Sequence, residues 1–519
     1  MSVDVCIIGS GEAGGLVASE LARAGKSVVL LESGPRFDLS DPFDRYELVL
    51  RGRNPWPWLE HDRDEYETKS EMPLSLNTSR IKAVGGTTLS WNAYAPRPKP
   101  EDFKMFSLFG WGVDWPLTYD ELEPYFVRAE AELGVAGAPA PGDPNRSAPY
   151  PLRPHPFSYA DQEIFKPAFE NLGLELGANP IAINSEDHSE RPTCQGFGTC
   201  HPMCPIDAKY TSLAHIERAE ATGNLKVKAN SHVRRFRLGS KRNVAYAEFV
   251  NASGELERQE ANYFVIAAGG VETPRLLLLS DGPTQQAKGL GNSSGLVGRN
   301  FILNTLSGAR GSLPIRTGSH RLSFGTSISW TLYDHSNLPE MGNLLIFPSD
   351  FQGPTPADMA VSSGLWGQEL KSHVKETFGH NVKILCESEM VPNPENRVRL
   401  SARQKDKYGD AIPVLELHLS QFEHATMDRA VELGYQILDQ VKAVKKWPSR
   451  SVMLSHAMGT TRMGDDPKTS VCDGWGRCHD LDNLYVASSS LFPTSGAAHP
   501  AMGIAALTLR TADFLTRNI

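Results

Sequence analysis

The chain has 519 residues, a formal net charge of −9 and 40% hydrophobic residues. That length exceeds one ordinary domain and predicts two or more lobes. Scattered basic residues on a net-negative chain exclude nucleic acid or an anionic membrane as the main partner, and no run of about 18 apolar residues predicts a transmembrane helix.

The first residues, MSVDVCIIGSG, enter a strand and a glycine turn without a signal peptide. A cytoplasmic location is the expectation; a periplasmic, membrane-associated complex would require export with a partner carrying the signal.

Val3 to Ile8 is an apolar run suited to a buried parallel strand. Gly9, Gly11 and Gly14, with Glu12 and Ala13 between them, form G-x-G-x-x-G. The first glycine allows the tight turn, the second a close approach to a pyrophosphate, and the third close packing of helix on strand. The helix is predicted to run to about Ala24 and stop at Gly25. A second strand, 27–31, ends at Glu32, 18 residues after Gly14, where a carboxylate binds a ribose. These features predict dinucleotide binding, and the motif's N-terminal position favours FAD over NAD.

Residues 35–75 read as an irregular excursion. The loop AVGGTTLSWNA (83–93) has the small residues that let backbone approach a flat ligand. A helix is predicted from Thr118 or Asp120, with Leu122, Phe126, Ala129 and Leu133 at helical spacing, followed by a Pro-rich surface loop over 136–160. Strands then flank a turn at Asn251–Gly254, and YFVIAAGGVETPRLLLLS reads as strand, glycine turn and helix. Residues 301–450 alternate strand-like runs with turns, closing on a helix from about Gln421 to Val444. Trp330 and Tyr333 lie in one such run, either stacking on a sugar ring or filling the core. Nucleotide-type and sheet-rich segments interleave. Two discontinuous domains are therefore expected: a nucleotide-binding one from 1–95, 190–300 and 451–519, and a substrate-binding one from 96–189 and 301–450.

Near the C-terminus, SHAMGTTRMGDD and SGAAHPAMGIAALTLR each set one histidine, His456 and His499, among small residues. A lone histidine is more often a satisfied core residue. Two converging imidazoles, however, could hold one hydroxyl, one taking its proton and the other fixing its oxygen.

Taken with GSGEAG and Glu32, AVGGTTLSWNAYAPR, VIAAGGVETPRLLLLS and NLYVASSSLFPTSGAAHPAMGIAALTLR, the chain resembles the glucose–methanol–choline (GMC) oxidoreductases over essentially its full length. The resemblance implies an α/β (α+β overall) fold: a doubly wound FAD-binding domain plus a substrate-binding domain with an antiparallel sheet. It also implies alcohol oxidation by hydride transfer to flavin. His456 matches the family's base and His499 its partner. Gly85, Gly86, Thr87 and Thr88 match the loop on the flavin, and Val233 a backbone contact to adenine. Asn92, Ala268 and Met502 lie in the same cofactor motifs. Ser488 departs from the family's usual acidic residue at its cofactor position. Ser90 stands where some relatives tether FAD to histidine, so FAD is expected to be non-covalent.

Of the seven cysteines, Cys6 and Cys386 sit in apolar runs as inert thiols, and Cys472 and Cys478 read as two unrelated thiols of a polar loop, a local disulfide being the alternative. Cys194, Cys200 and Cys204 are spaced C-x5-C-x3-C before Pro205. PTCQGFGTCHPMCPIDAKY resembles the segment holding a [3Fe–4S] cluster in a branch of the family, the catalytic subunits of bacterial membrane-associated sugar dehydrogenases. Thiolates suit iron–sulfur clusters. The other readings are a zinc site with His201, structural thiols, or a disulfide. The branch implies a sugar or glycoside substrate, a small companion subunit and a multihaem cytochrome or quinone-linked acceptor. The rival activities are an oxygen-using sugar oxidase and a flavin-bearing lyase.

Overall fold

In the computed structural model the described residues are 2–38, 41–50, 64–240, 242–280, 289–318, 322–348 and 356–519. The strands run in chain order as β1 (Val3–Ile8), β2 (Val28–Leu31), β3 (Glu67–Ser70), β4 (Gly177–Ala178), β5 (Leu225–Lys228), β6 (His232–Ser240), β7 (Asn243–Val250) and β8 (Leu256–Ile266). They continue as β9 (Ile302–Ser312), β10 (Ser327–Leu332), β11 (Leu344–Pro348), β12 (Asn381–Ser388), β13 (Arg397–Lys405), β14 (Ala411–Leu417), β15 (Lys445–Met458) and β16 (Leu484–Val486).

The first sheet is parallel through β5-β2-β1-β8, with β16 added parallel to the end of β8. The first half of β8 pairs antiparallel with β7, and β7 with β6. Side-chain alternation divides the buried faces of β1 and β2. Val5, Ile7, Val28 and Leu30 pack with the first helix, Glu12–Arg23, with Ile216 and Ala219 of the helix Leu213–Ala221, and with Ala512 and Leu515 of the C-terminal helix Ala501–Asn518. Cys6, Ile8, Val29 and Leu31 enter the core that also takes Phe236 and Phe249 of the β6–β7 hairpin. The first helix ends before Gly25, whose φ of 81° supplies the left-handed residue that lets the chain turn into β2.

The second sheet has the order β15-β9-β12-β11-β10-β4 and is antiparallel throughout. On one face Ala309, Ile346, Ile384 and Cys386 pack against Ala430, Ile437 and Leu438 of the helix Gln421–Gln440. That helix starts with a Ser420–Glu423 capping box and stops short of the predicted Val444, because Lys445 already opens β15. The opposite face carries Glu387 in register with Leu306, and β15 at the sheet's edge shares a cavity with the first sheet's glycine turn at Gly9. β15 runs across the 450/451 boundary drawn from the sequence, so the strand bearing His456 belongs to this sheet.

The predicted helix after Thr118 spans Tyr119–Leu133 with a Thr118–Glu121 capping box. The excursion at 35–75 is more ordered than its composition predicts. It contains the helix Pro42–Leu50 and the strand β3, which pairs with β14 in a third sheet, β13-β14-β3. Pro at the first helical position and a ladder partner more than 300 residues away account for both. The rest of the excursion, 39–40 and 51–63, lies outside the described residues. Trp330 and Tyr333 are core residues, buried and stacked on each other at 5.8 Å. No helix among the described residues is long and apolar enough to cross a membrane.

Candidate active site and cofactor cradle

A cavity of about 480 Å³ runs from the Gly9 turn to the two histidines. Gly9, Gly11, Glu12, Ala13, Glu32, Gly86, Thr87, Thr88, Asn92, Val233, Ala268 and Ser488 line it, as do His456 and His499. Gly14, Gly85 and Met502 do not. Gly14 supports the turn from beneath: a Cβ there would meet the Gly9 carbonyl oxygen at 1.9 Å. Gly85, at φ 104°, turns the chain ahead of Gly86. Met502 points into the protein, while Pro500, Ala501 and Ile504 meet the cavity, as the 100° step per helical residue requires.

The cradle fits a dinucleotide on three observations. A Cβ on Gly11 would meet nothing within 4 Å, so the backbone there borders open space. A Cβ on Gly86 would meet Gly11 Cα at 2.7 Å, so the second loop lies directly on the first. Glu12 Oε1 and Arg80 Nε and Nη2 are buried without a hydrogen-bond partner among the described residues, polar atoms that a bound ligand would satisfy. Burial pushes the Glu12 carboxyl up to about 8. Glu32 is held ready at the end of β2: Oε2 accepts from Ser10 N (3.0 Å) and Ser10 Oγ (2.6 Å), and Oε1 from Gly34 N (2.9 Å). Burial nonetheless raises its carboxyl above the usual range.

At the other end of the cavity the imidazoles of His456 and His499 lie 5.1 Å apart, ring centre to ring centre. Between them stands Glu387, which the sequence reading missed. Its Oε1 is 3.0 Å from His456 Nδ1 and its Oε2 is 2.8 Å from His499 Nδ1. The His456 Nδ1–H bond is directed at Asn304 Oδ1, 3.0 Å away, with the carboxylate beside that line. Burial alone would raise the Glu387 carboxyl, but the two imidazoles, His499 and then His456, bring it down to about 2. Burial lowers His456 below the ordinary imidazole range against the pull of Glu387. His456 is therefore neutral near pH 7, with its proton on Nδ1 and its lone pair on Nε2. This is the state a general base needs. Tyr94 closes the site: its ring stacks on Phe347 at 5.3 Å and meets the edge of His499 at 5.1 Å. The signal for Glu387 was present in VKILCESEM, where a glutamate directly follows the apolar run Ile384–Cys386.

The cysteine loop forms part of the cavity wall. His201 lines the cavity beside Ser90 and Trp91, with its Nδ1 donating to Ser90 O at 2.7 Å. Lys209 Nζ donates to Leu89 O (3.2 Å), Trp91 O (3.0 Å) and Cys200 O (2.6 Å), bracing this loop on the 83–93 loop. Cys200 and Cys204 are buried, Cys194 is half-buried, and the three thiols lie within electrostatic reach of one another. All three are free thiols here. Among the described residues the only group of three or more donor atoms mutually within 4.8 Å is Glu387, His456 and His499. The thiols with His201 therefore lack the tight spacing of a tetrahedral zinc site. In a cluster each thiolate binds a different iron and the spacing is wider. Phe197 of the same loop is 41% exposed, so the loop reaches from cavity to surface.

A glycine-turn cradle joined to a facing histidine pair defines a flavin-dependent oxidoreductase. The N- and C-terminal GMC oxidoreductase domains match residues 73–306 and 392–508, and the chain belongs to that family. It is an FAD-binding flavoprotein and an oxidoreductase. It is similar to the fructose dehydrogenase large subunit of Gluconobacter japonicus, at 32% identity over 100% of this chain and 98% of the relative. It is also similar to 6'''-hydroxyparomomycin C oxidase of Streptomyces lividus, at 28% identity over 99% and 92%. Its fold matches the crystal structure of pyridoxine 4-oxidase from Mesorbium loti, with a TM-score of 0.67 and 20% identity over 99% of both chains.

Proposed function

We propose that this chain is an FAD-dependent dehydrogenase that oxidises a CH–OH group of a sugar or glycoside and delivers the electrons, through an iron–sulfur cluster on Cys194, Cys200 and Cys204, to a cytochrome or quinone-linked acceptor. The observation that carries the reaction is the placement of His456, with its Nδ1 3.0 Å from Asn304 Oδ1, in a cavity shared with the cofactor cradle. His456 Nε2 takes the hydroxyl proton, and His499, fixed by Glu387, orients the hydroxyl oxygen. The imidazolium formed on His456 is stabilised by Glu387 at 3.0 Å. The Gly9 turn, Glu32 and Gly86 would hold FAD non-covalently, and the group would supply the hydride-accepting chemistry.

The full-length similarity to a fructose dehydrogenase large subunit and to 6'''-hydroxyparomomycin C oxidase supports a sugar or glycoside as substrate. The words "large subunit" in the first relative's name support a smaller companion subunit here. A loop that lines the cavity at His201 and reaches the surface at Phe197 supports the electron exit. A bound cluster supplies single-electron transfer.

The alternative is an oxygen-using sugar oxidase without a working cluster, favoured by the oxidase names of other relatives. The test is iron and acid-labile sulfide per FAD on anaerobically purified protein, then anaerobic addition of fructose, glucose, gluconate and an aminoglycoside. About three irons per flavin, with bleaching by one of these and no peroxide in air, is the expected result. Bleaching without iron but with stoichiometric peroxide overturns the dehydrogenase in favour of the oxidase.

A further inference from the structure

Cys472 and Cys478 face each other across a tight hairpin. Asp473 N donates to Arg477 O at 2.8 Å and His479 N to Val471 O at 3.1 Å. These two bonds flank the cysteines on either side, and Cys472 and Cys478 are direct antiparallel partners. They therefore form a non-hydrogen-bonded pair, in which Cα atoms lie about 4.5 Å apart and side chains leave on one face. That is inside the roughly 4.4–6.8 Å window that a disulfide needs.

The hairpin is rigidly specified. Asp473 Oδ1 accepts from Trp475 N (2.8 Å) and Arg477 N (3.0 Å), and Gly476 takes φ 76°. Both thiols are free and buried, and Cys478 Sγ sits close against Gly291, where an added Cβ would meet it at 2.7 Å.

We propose that Cys472 and Cys478 are a cross-strand disulfide site, oxidised while the chain folds in the presence of a disulfide donor. Two S–H bonds break and one S–S bond forms. Two protons leave to solvent, and the two electrons reduce the donor disulfide to two thiols through a mixed disulfide. Exchange requires an accessible thiolate, and at 0% and 2% exposure neither thiol offers one once folded. The bond is set before burial and then kept, so its state records the redox condition in which the chain folded. It would staple the segment leaving His456, where Met463 pairs with Cys472, to the segment entering β16, where Cys478 N donates to Leu484 O at 2.9 Å.

The full chain is produced in an oxidising and in a reducing bacterial cytoplasm, and the FAD-containing fraction of each is unfolded in iodoacetamide without reductant and digested with trypsin. Cleavage after Lys468, Arg477 and Arg510 separates the two cysteines into peptides 469–477 and 478–510. The expected result is that these two peptides are joined in the oxidised sample, stay joined after dithiothreitol treatment of the native protein, and are separately alkylated in the reduced sample. Separate alkylation of both cysteines in the oxidised, FAD-containing sample overturns the proposal, as does linkage of either to a different cysteine. Neither outcome depends on the cluster or on the substrate.

Discussion

Asn304 and Glu387 together set which nitrogen of His456 carries the proton, each placing an acceptor 3.0 Å from Nδ1. Asn304 Nδ2 donates to Gly496 O (2.9 Å) and Ser388 O (3.3 Å), which leaves only Oδ1 to face His456 Nδ1 at 3.0 Å. The imidazole must therefore donate from Nδ1 and keep Nε2 basic. Asn304→Ala removes the aligned acceptor, leaving only the off-line Glu387 Oε1, and keeps the histidine in place. Substrate-driven flavin bleaching is expected to slow about 10- to 100-fold, with FAD content unchanged. Stopped-flow absorbance under anaerobic conditions reads it, and a parent-like rate means that Asn304 does not set the tautomer.

His456→Ala removes the base itself. FAD lies against many other groups of the cavity, so the variant is expected to stay yellow. Bleaching by substrate is expected to fall about 10²- to 10⁴-fold. A variant that bleaches at the parent rate would reassign the base, and His499 would be the next residue to test.

Glu387→Gln tests the charge shared by the two imidazoles. The carboxylate favours protonated His456, so its removal lowers the imidazole further below its ordinary range. The acidic limb of the bleaching rate should move to lower pH, and the plateau should fall because the imidazolium loses its counter-charge. Stability changes as well. Glu387 is depressed in the folded protein from 4.5 to about 2, so its contribution is present above about pH 4.5 and is lost as pH falls toward 2. In the variant this part of the acid-induced fall in Tm should be absent. Superimposable pH profiles for both proteins would show that the carboxylate is not coupled to the histidines.

The residues just tested differ in how far the sequence disclosed them. The Gly9 turn, the first helix and Glu32 were legible because every group involved lies within about thirty residues and obeys one local pattern. The histidines were legible through their small-residue surroundings. Glu387 and Asn304 were not, because what joins them to His456 is the register of β12 on β9 and the irregularity in β15 between Met453 and Met458. Met502 shows a subtler limit. The motif announced the C-terminal helix, but its rotation, which gives the cavity Ala501 and Ile504 instead, is set by packing. β3 is the extreme case, since ETKS has no strand character without β14 beside it.

Two glycines of one motif should fail in different ways. A Cβ on Gly11 meets nothing in the protein, whereas one on Gly14 would lie 1.9 Å from the Gly9 carbonyl oxygen. Gly11→Ala should therefore fold with an apoprotein Tm close to the parent's and lose FAD, because its methyl occupies the space meant for the pyrophosphate. Gly14→Ala should lower the apoprotein Tm or prevent folding. Full FAD occupancy in Gly11→Ala would mean that the cofactor does not approach this backbone.

Cys200→Ser addresses the electron exit. The Cys200 carbonyl oxygen is tied to Lys209 at 2.6 Å, so the loop has an anchor that does not depend on the thiol, and the variant is expected to fold with FAD bound. Iron and acid-labile sulfide should fall to near zero. Anaerobic bleaching should proceed at the parent rate, because His456, His499 and the cradle are untouched. Turnover with a one-electron acceptor such as ferricyanide or a cytochrome c should drop at least tenfold. Loss of iron with unchanged acceptor turnover would leave a cluster that is bound but off the electron path, and electrons would then have to leave the flavin directly, past the wall that Ser90 and His201 form.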